Sequence, residues 1–177
     1  MALRKAGAYS KKRARPYTRK SKVRKKSFIK TVPNSMIVKF KMGDVAGFAK
    51  GKFPIVMEVV SKENIQMRDN AIEAVRQFLN RFLVERVGTN EFYFETKIYP
   101  HHILRENKML TGAGADRMQT GMSQSFGKAI GRAAFVKANQ VIFVLGVETL
   151  KAEIEVRKLL KSAKSRLPCK VFIRAVN

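Results

Sequence analysis

Apolar residues recur at helical spacing over residues 64–87. Ile65, Ala71, Ile72, Val75, Phe78, Leu79, Phe82 and Leu83 share one face, and Arg68, Glu73, Arg76, Asn80 and Arg81 occupy the opposite one. Ser61 and Asn64 are competent N-caps ahead of this helix, and Gly88 stands where a left-handed C-cap belongs. Residues 53–60, FPIVMEVV, form a β-branched apolar run with Pro54 near its start, where a missing donor is tolerated, and predict a largely buried strand. Residues 91–99 alternate instead: Phe92, Phe94, Thr96 and Ile98 face one way, Tyr93, Glu95, Lys97 and Tyr99 the other, as in a strand with one wet face.

Shorter signals complete the series. A Pro33-Asn34 turn precedes a short strand at 37–40, Pro100 ends the alternating strand, and 101–105 begins a second extended piece. Residues 132–136 and 140–145 predict a hairpin around Ala138-Asn139. Glu148 and Thr149 open an amphipathic helix carried by Ile154, Leu159, Leu160 and Ala163, and residues 170–176 close the chain as a strand. This order suits a two-layer α+β domain with helices covering a mixed or antiparallel sheet.

Two stretches have no such period. Residues 11–26, KKRARPYTRKSKVRKK, alternate cations with Ser, Thr, Tyr and Pro and define no buried face, so they predict an arm that orders against a partner. Residues 106–121, ENKMLTGAGADRMQTG, predict a long functional loop. The organisation expected is a basic arm, 1–32, and a single α+β domain, 33–177, with a flexible loop at 105–121.

Charge gives the arm its meaning. The 177 residues hold 37 Lys and Arg against 13 Asp and Glu, a formal net charge of +24. Fifteen of the basic residues fall within residues 1–42, and the first acid is Asp44. A surface so charged repels itself unless a polyanion surrounds it, and nucleic acid is the obvious counter-charge. A hydrophobic content of 45% with twelve Phe is too apolar for a disordered tail. The arm resembles a transit peptide or a nuclear localisation signal only in its cations; before Phe28 its only aliphatic residues beyond Ala are Leu3 and Val23, so it reads as a retained arm. The longest clean apolar runs, such as 141–145, are far short of a membrane span. The single Cys169 makes no internal disulfide, and the adjacent His101 and His102 have no ligand-spaced partner, so neither metal nor cofactor is expected.

Candidate RNA contacts are the arm residues Lys11, Lys12, Arg13, Arg15, Tyr17, Arg19, Lys20, Arg24, Lys25 and Lys26. With them stand His101, His102, Arg105, Lys108, Arg117, Gln119 and Lys128 around the loop. Tyr9 and Tyr17 are rings able to stack on exposed bases among cations that bind backbone phosphate. The run 111–116, TGAGAD, lacks the third glycine of a dinucleotide fingerprint and the GKS or GKT of a P-loop, so its enzymatic reading is weak. Its small residues allow close backbone approach to a crowded partner, and Met109 and Met118 supply adaptable apolar contact. Two other classes stay open on the residues alone. An RNA-directed enzyme would use His101-His102 beside the loop, and a free DNA-binding protein would need little beyond the charge.

The segments IVMEVVSKENIQMRDNAIEA, FYFETKIYPHHILRENKM and GAGADRMQTGMSQSFGK closely resemble the universal large-subunit ribosomal protein family, called L ten e in archaea and eukaryotes and L sixteen in bacteria. The resemblance runs from about residue 16 to the C-terminus and is most specific over 101–128; with no acidic C-terminal extension, it is of archaeal type. It implies an α/β-hammerhead-like domain without catalytic activity. It implies too that the domain binds 23S-type large-subunit rRNA near the peptidyl transferase cleft and the 5S rRNA region, beside neighbouring ribosomal proteins, on cytoplasmic ribosomes. No membrane contact and no obligate homo-oligomer are expected. The family's glycine-rich loop points toward tRNA, which places Lys108, Met109, Gly112, Gly114, Arg117 and Met118 in the tRNA-proximal set. Two departures from the family pattern, Ser123 where Arg is common and Ala129 where Pro is common, put contacts there in question.

Overall fold

A computed structural model describes residues 5–11, 15–18, 22–23, 29, 31–107 and 126–176. Among the described residues, eight strands and three α-helices follow one another: β1 (Lys41–Gly43), α1 (Val45–Ala49), β2 (Ile55–Ser61), β3 (Ile65–Arg68), α2 (Asp69–Arg86), β4 (Phe92–Thr96), β5 (His102–Glu106), β6 (Lys128–Val136), β7 (Val141–Val147), α3 (Leu150–Ala163), and, after a 3-10 turn at Lys164–Arg166, β8 (Val171–Val176). The content is α+β. Of the mixed and antiparallel arrangements expected, the antiparallel one is found, divided between a five-stranded sheet, β1-β4-β7-β2-β8, and a three-stranded sheet, β3-β6-β5, with every neighbouring pair antiparallel.

The two sheets meet at a corner. β2 pairs with β7 in one and β3 pairs with β6 in the other, so a long two-stranded ribbon is folded where Ser61 leads into Asn64 and Lys137 into Gln140. Ser61 N–H donates to the Gln140 carbonyl (3.0 Å), Asn139 N–H to the Ser61 carbonyl (2.8 Å), and Ala138 N–H to the Asn64 side chain (2.8 Å). Asn139 takes φ 63, a left-handed conformation that Asn tolerates. The expected hairpin at 132–145 is therefore absent. Its two strands exist, but the turn between them sends each to a different sheet.

The same corner corrects the helix expected from residue 64. Asn64 is committed to Ala138 and the Ser61 hydroxyl to Glu63, so neither caps a helix. Residues Ile65–Arg68 are extended, with Ile65 and Met67 in the core, and α2 begins at Asp69. Asp69 accepts the amides of Met36 (3.1 Å) and Asn70 (2.9 Å). At the far end Gly88 takes φ 112 and donates to the Leu83 carbonyl, the cap its position implies.

Strand 37–40 is displaced to β1, where Gly43 (φ 79) brings its Cα so close to β4 that an added Cβ would lie 2.1 Å from the Phe92 carbonyl oxygen. The wet face assigned to 91–99 is partly dry: Tyr93 is buried because Phe48 of α1 stacks on it at 3.9 Å. Thr149 caps α3 through Ala152 N–H, and β8 lies where the closing strand is expected. One apolar core joins α2, α3 and the inward residues of both sheets. Phe92 and Phe94 belong to it, whereas Phe78 and Phe82 pack only at its margin.

Candidate nucleic-acid interface

A three-stranded sheet exposes unpaired backbone on both outer strands, and here the arm covers both. On β3, Gln66 N–H donates to the Ser10 carbonyl (3.0 Å) and the Gln66 amide to the Tyr9 carbonyl (3.0 Å). On β5, Ile103 N–H donates to the Tyr17 carbonyl (3.0 Å), and Tyr17 N–H donates to His102 Nδ1 (2.8 Å). The arm's backbone is thus stitched across the sheet, while Lys5, Lys11 and Arg15 remain exposed.

At the β5 end of this sheet, aromatic and cationic groups converge. The Arg105 guanidinium sits 4.3 Å from the Tyr17 ring centre and 5.8 Å from that of Phe126, which is 77% exposed. The Tyr9 hydroxyl reaches Glu106 (3.3 Å), opposite Lys128 in the β5–β6 register. Gly127 (φ 75) turns the chain into β6 so tightly that a Cβ would lie 2.5 Å from the Glu106 carbonyl carbon. Exposed aromatic faces beside fixed guanidinium groups are what unstacked bases and phosphates engage together.

His102 is buried against Phe135 at a ring separation of 4.7 Å. Burial, and then the positive charge of His101 and Arg105, push its imidazolium down to about 4. The ring is therefore neutral near pH 7, with Nδ1 occupied by the Tyr17 amide, and acts as a clasp for the arm rather than an acid or base. His101 Nδ1 lies 3.1 Å from the Tyr99 carbonyl. No group of three or more His, Cys, Asp or Glu among the described residues is arranged to hold a metal, and no helix among them is long and apolar enough to cross a membrane.

The clasp has a pH signature. The folded-state value lies below the ordinary 6.5, so the unclasped ring takes up its proton first. Docking is at full strength above about pH 6.5 and weakens as the pH falls toward 4, by roughly 1–2 kcal/mol after allowance for residual solvent. Hydrogen-exchange protection of the Tyr17 and Ile103 amides, corrected for intrinsic exchange, should fall over that interval and lose its pH dependence in His102→Gln. Equal protection at pH 7 and pH 4 in the unaltered chain would contradict the assignment.

The structure brings together Tyr17, His102 and Arg105, with Lys128 at the same end, and leaves Lys11 and Arg15 on the arm's outer side. Lys12, Arg13, Arg19, Lys20, Arg24, Lys25, Lys26, Lys108, Met109, Gly112, Gly114, Arg117, Met118 and Gln119 lie outside the described residues. Phe126, Gln66 and Arg132 join this surface almost without a sequence signal, the last donating to the Pro33 carbonyl (2.7 Å) and the Tyr99 hydroxyl (3.2 Å). No helical or strand period marks them. The adjacency of Phe126 to Gly127 and Lys128 was the one available sign.

Residues 13–174 match the family described as Ribosomal protein L16p/L10e. The chain is similar to the large ribosomal subunit protein uL16 of Methanococcus maripaludis, 38% identical over 175 residues, covering 98% of this chain and 95% of the relative. Similar too are the proteins of that name from Thermofilum pendens, 39% identical over 168 residues (95% and 94% covered), and Staphylothermus marinus, 41% over 169 residues (95% and 90%). The chain belongs to the L16p/L10e family of ribosomal proteins.

Proposed function

We propose that this chain is a non-catalytic structural constituent of the large ribosomal subunit, working on cytoplasmic ribosomes beside other ribosomal proteins. It binds 23S-type rRNA near the peptidyl transferase cleft and the 5S rRNA region, and its 105–121 segment helps position tRNA by shape. Residues 1–32 serve as the rRNA-binding arm and 33–177 as the single domain it is anchored to. The observation that carries this reading is the arm sewn to both edges of the β3-β6-β5 sheet with Lys5, Lys11 and Arg15 exposed. That docking settles part of the arm's backbone before RNA arrives, so less ordering is left for the binding step. Phosphate contacts would give affinity and register, and the Tyr17–Arg105–Phe126 cluster would take an unstacked base.

Ribosome fractionation tests it. The chain should sediment with large subunits at low salt and be stripped progressively by high salt; recovery only in free soluble fractions at low salt would reject the proposal.

A further inference from the structure

Helices α2 and α3 pack against each other, and along their seam two phenyl rings are flanked by arginines. Phe78 and Phe82, one turn apart on α2, meet edge to face at a ring separation of 4.8 Å, and both stay half-buried at the margin of the core. The Arg166 guanidinium, from the 3-10 turn after α3, lies 4.4 Å from the Phe78 ring centre. Those of Arg81 and Arg86 lie 5.8 and 5.6 Å from the Phe82 ring centre. A guanidinium held over a ring keeps its in-plane N–H donors for a second partner. Arg86 already shows what such a donor takes here, since it binds the Glu155 carboxylate of α3 at 3.1 Å. Arg81 and Arg166 are exposed and enter no ion pair among the described residues.

Charge balance separates these helices from the rest of the chain. α2 holds three acids and three arginines, and α3 two acids against four bases, so the two carry +2 of the chain's +24. Glu155 stands in the cluster itself, and Glu85 is exposed one turn beyond Phe82; both repel phosphate. Aromatic rings beside arginine, with no lysine on either ring, are the composition of a protein–protein hot spot. We propose that this seam docks an acidic segment of a neighbouring ribosomal protein, with an apolar side chain resting on Phe78 and Phe82 and two carboxylates meeting Arg81 and Arg166. Arg166 serves Phe78 and Arg81 serves Phe82, four residues further along α2, so the carboxylates stand about 6 Å apart along its axis at roughly 1.5 Å per residue. That is the spacing of acids one turn apart on a partner helix. The inference rests on the ribosomal reading above and adds a protein contact to it.

The test uses the full chain in assembled large subunits, with a benzophenone photo-crosslinking side chain in place of Ala74, an exposed residue one turn before Phe78. Illumination should join it to a ribosomal protein beside a pair of Asp or Glu residues. In R81E/R166E that adduct should fall at least about fivefold at equal incorporation into the particle, and reversing the two acids of the joined protein to Lys should restore it. Adducts to rRNA alone, no protein adduct, or an adduct indifferent to both reversals overturn the docking site. A second measurement guards against a phosphate contact. The free chain's slope of log affinity for 23S-type rRNA against log salt should be the same in R81Q/R166Q as in the unaltered chain. A slope shallower by about 1.4, at roughly 0.7 for each lost single-strand phosphate contact, would assign the two arginines to RNA and overturn the proposal. Failure of the unaltered chain to enter large subunits defeats the ribosomal reading itself, so the two failures are told apart.

Discussion

Replacing Arg76 by Ala should lower the unfolding free energy by about 3 kcal/mol, read as a shift of the urea midpoint at unchanged slope. By sequence spacing Arg76 and Glu73 belong to the solvent face of α2, yet their side chains retain only 10% and 9% exposure. The guanidinium grips both carboxylate oxygens, at 2.7 and 2.6 Å, and also reaches the Met42 sulfur of β1 at 2.9 Å. Burial opposes ionisation of Glu73, but Arg76, the Gln77 amide and the Val38 backbone N–H outweigh it and hold its carboxyl below the ordinary range. Removing the cation strands that carboxylate in a nearly dry site, which is the expensive half of a buried pair. The tenth of each side chain still in water places the cost at the lower end of the roughly 3–5 kcal/mol range for such losses. Glu73→Leu with Arg76→Met should recover most of it, because no charge is left unpaired. A loss under about 1 kcal/mol in the single variant would mean that water solvates the pair.

That pair shows where local pattern stops being informative. Periodicity finds α2 because its apolar stripe is long, and finds α3 because Thr149 caps it and Leu159, Leu160 and Ala163 follow at helical spacing, although Ile154 is 56% exposed and Val156 takes the buried position instead. It misjudges Ile65–Arg68, where apolar residues at 65 and 67 fit period two as well as the start of a helix. The choice is made by Ala138, 74 positions from Asn64. It also misjudges Arg76 and Tyr93, each covered by a segment that shares no period with it: β1 over the first, Phe48 over the second. The candidate site divides in the same way. Cations are visible in any sequence, and a glycine-rich stretch after His102 draws the eye to the loop. The docking of Tyr17 on Ile103 runs through backbone groups, which leave no residue signature.

The second large effect concerns salt. If the arm and the domain's other cations together neutralise about 6 to 10 phosphates, affinity for 23S-type rRNA should fall roughly 10³- to 10⁵-fold between about 50 and 200 mM monovalent salt, as counterions released on binding become costlier to displace. Charge and docking can be separated within the arm. Replacing Lys5, Lys11 and Arg15 by Gln removes exposed cations that the clasp does not use, so the slope should become shallower by about 2 while the exchange protection of Ile103 persists. Tyr17→Pro does the reverse. It removes the N–H that His102 Nδ1 accepts and the ring beside Arg105 but keeps every cation, so the slope should hold while affinity drops at least about fivefold at all salt concentrations, near 1 kcal/mol for the lost hydrogen bond and the order it enforced, with the lost stacking face adding to it. If Tyr17→Pro instead flattened the slope, the clasp would be organising the phosphate contacts themselves. A flat titration of the unaltered chain would refute electrostatic anchoring, and +24 of charge would then need a counter-charge other than RNA.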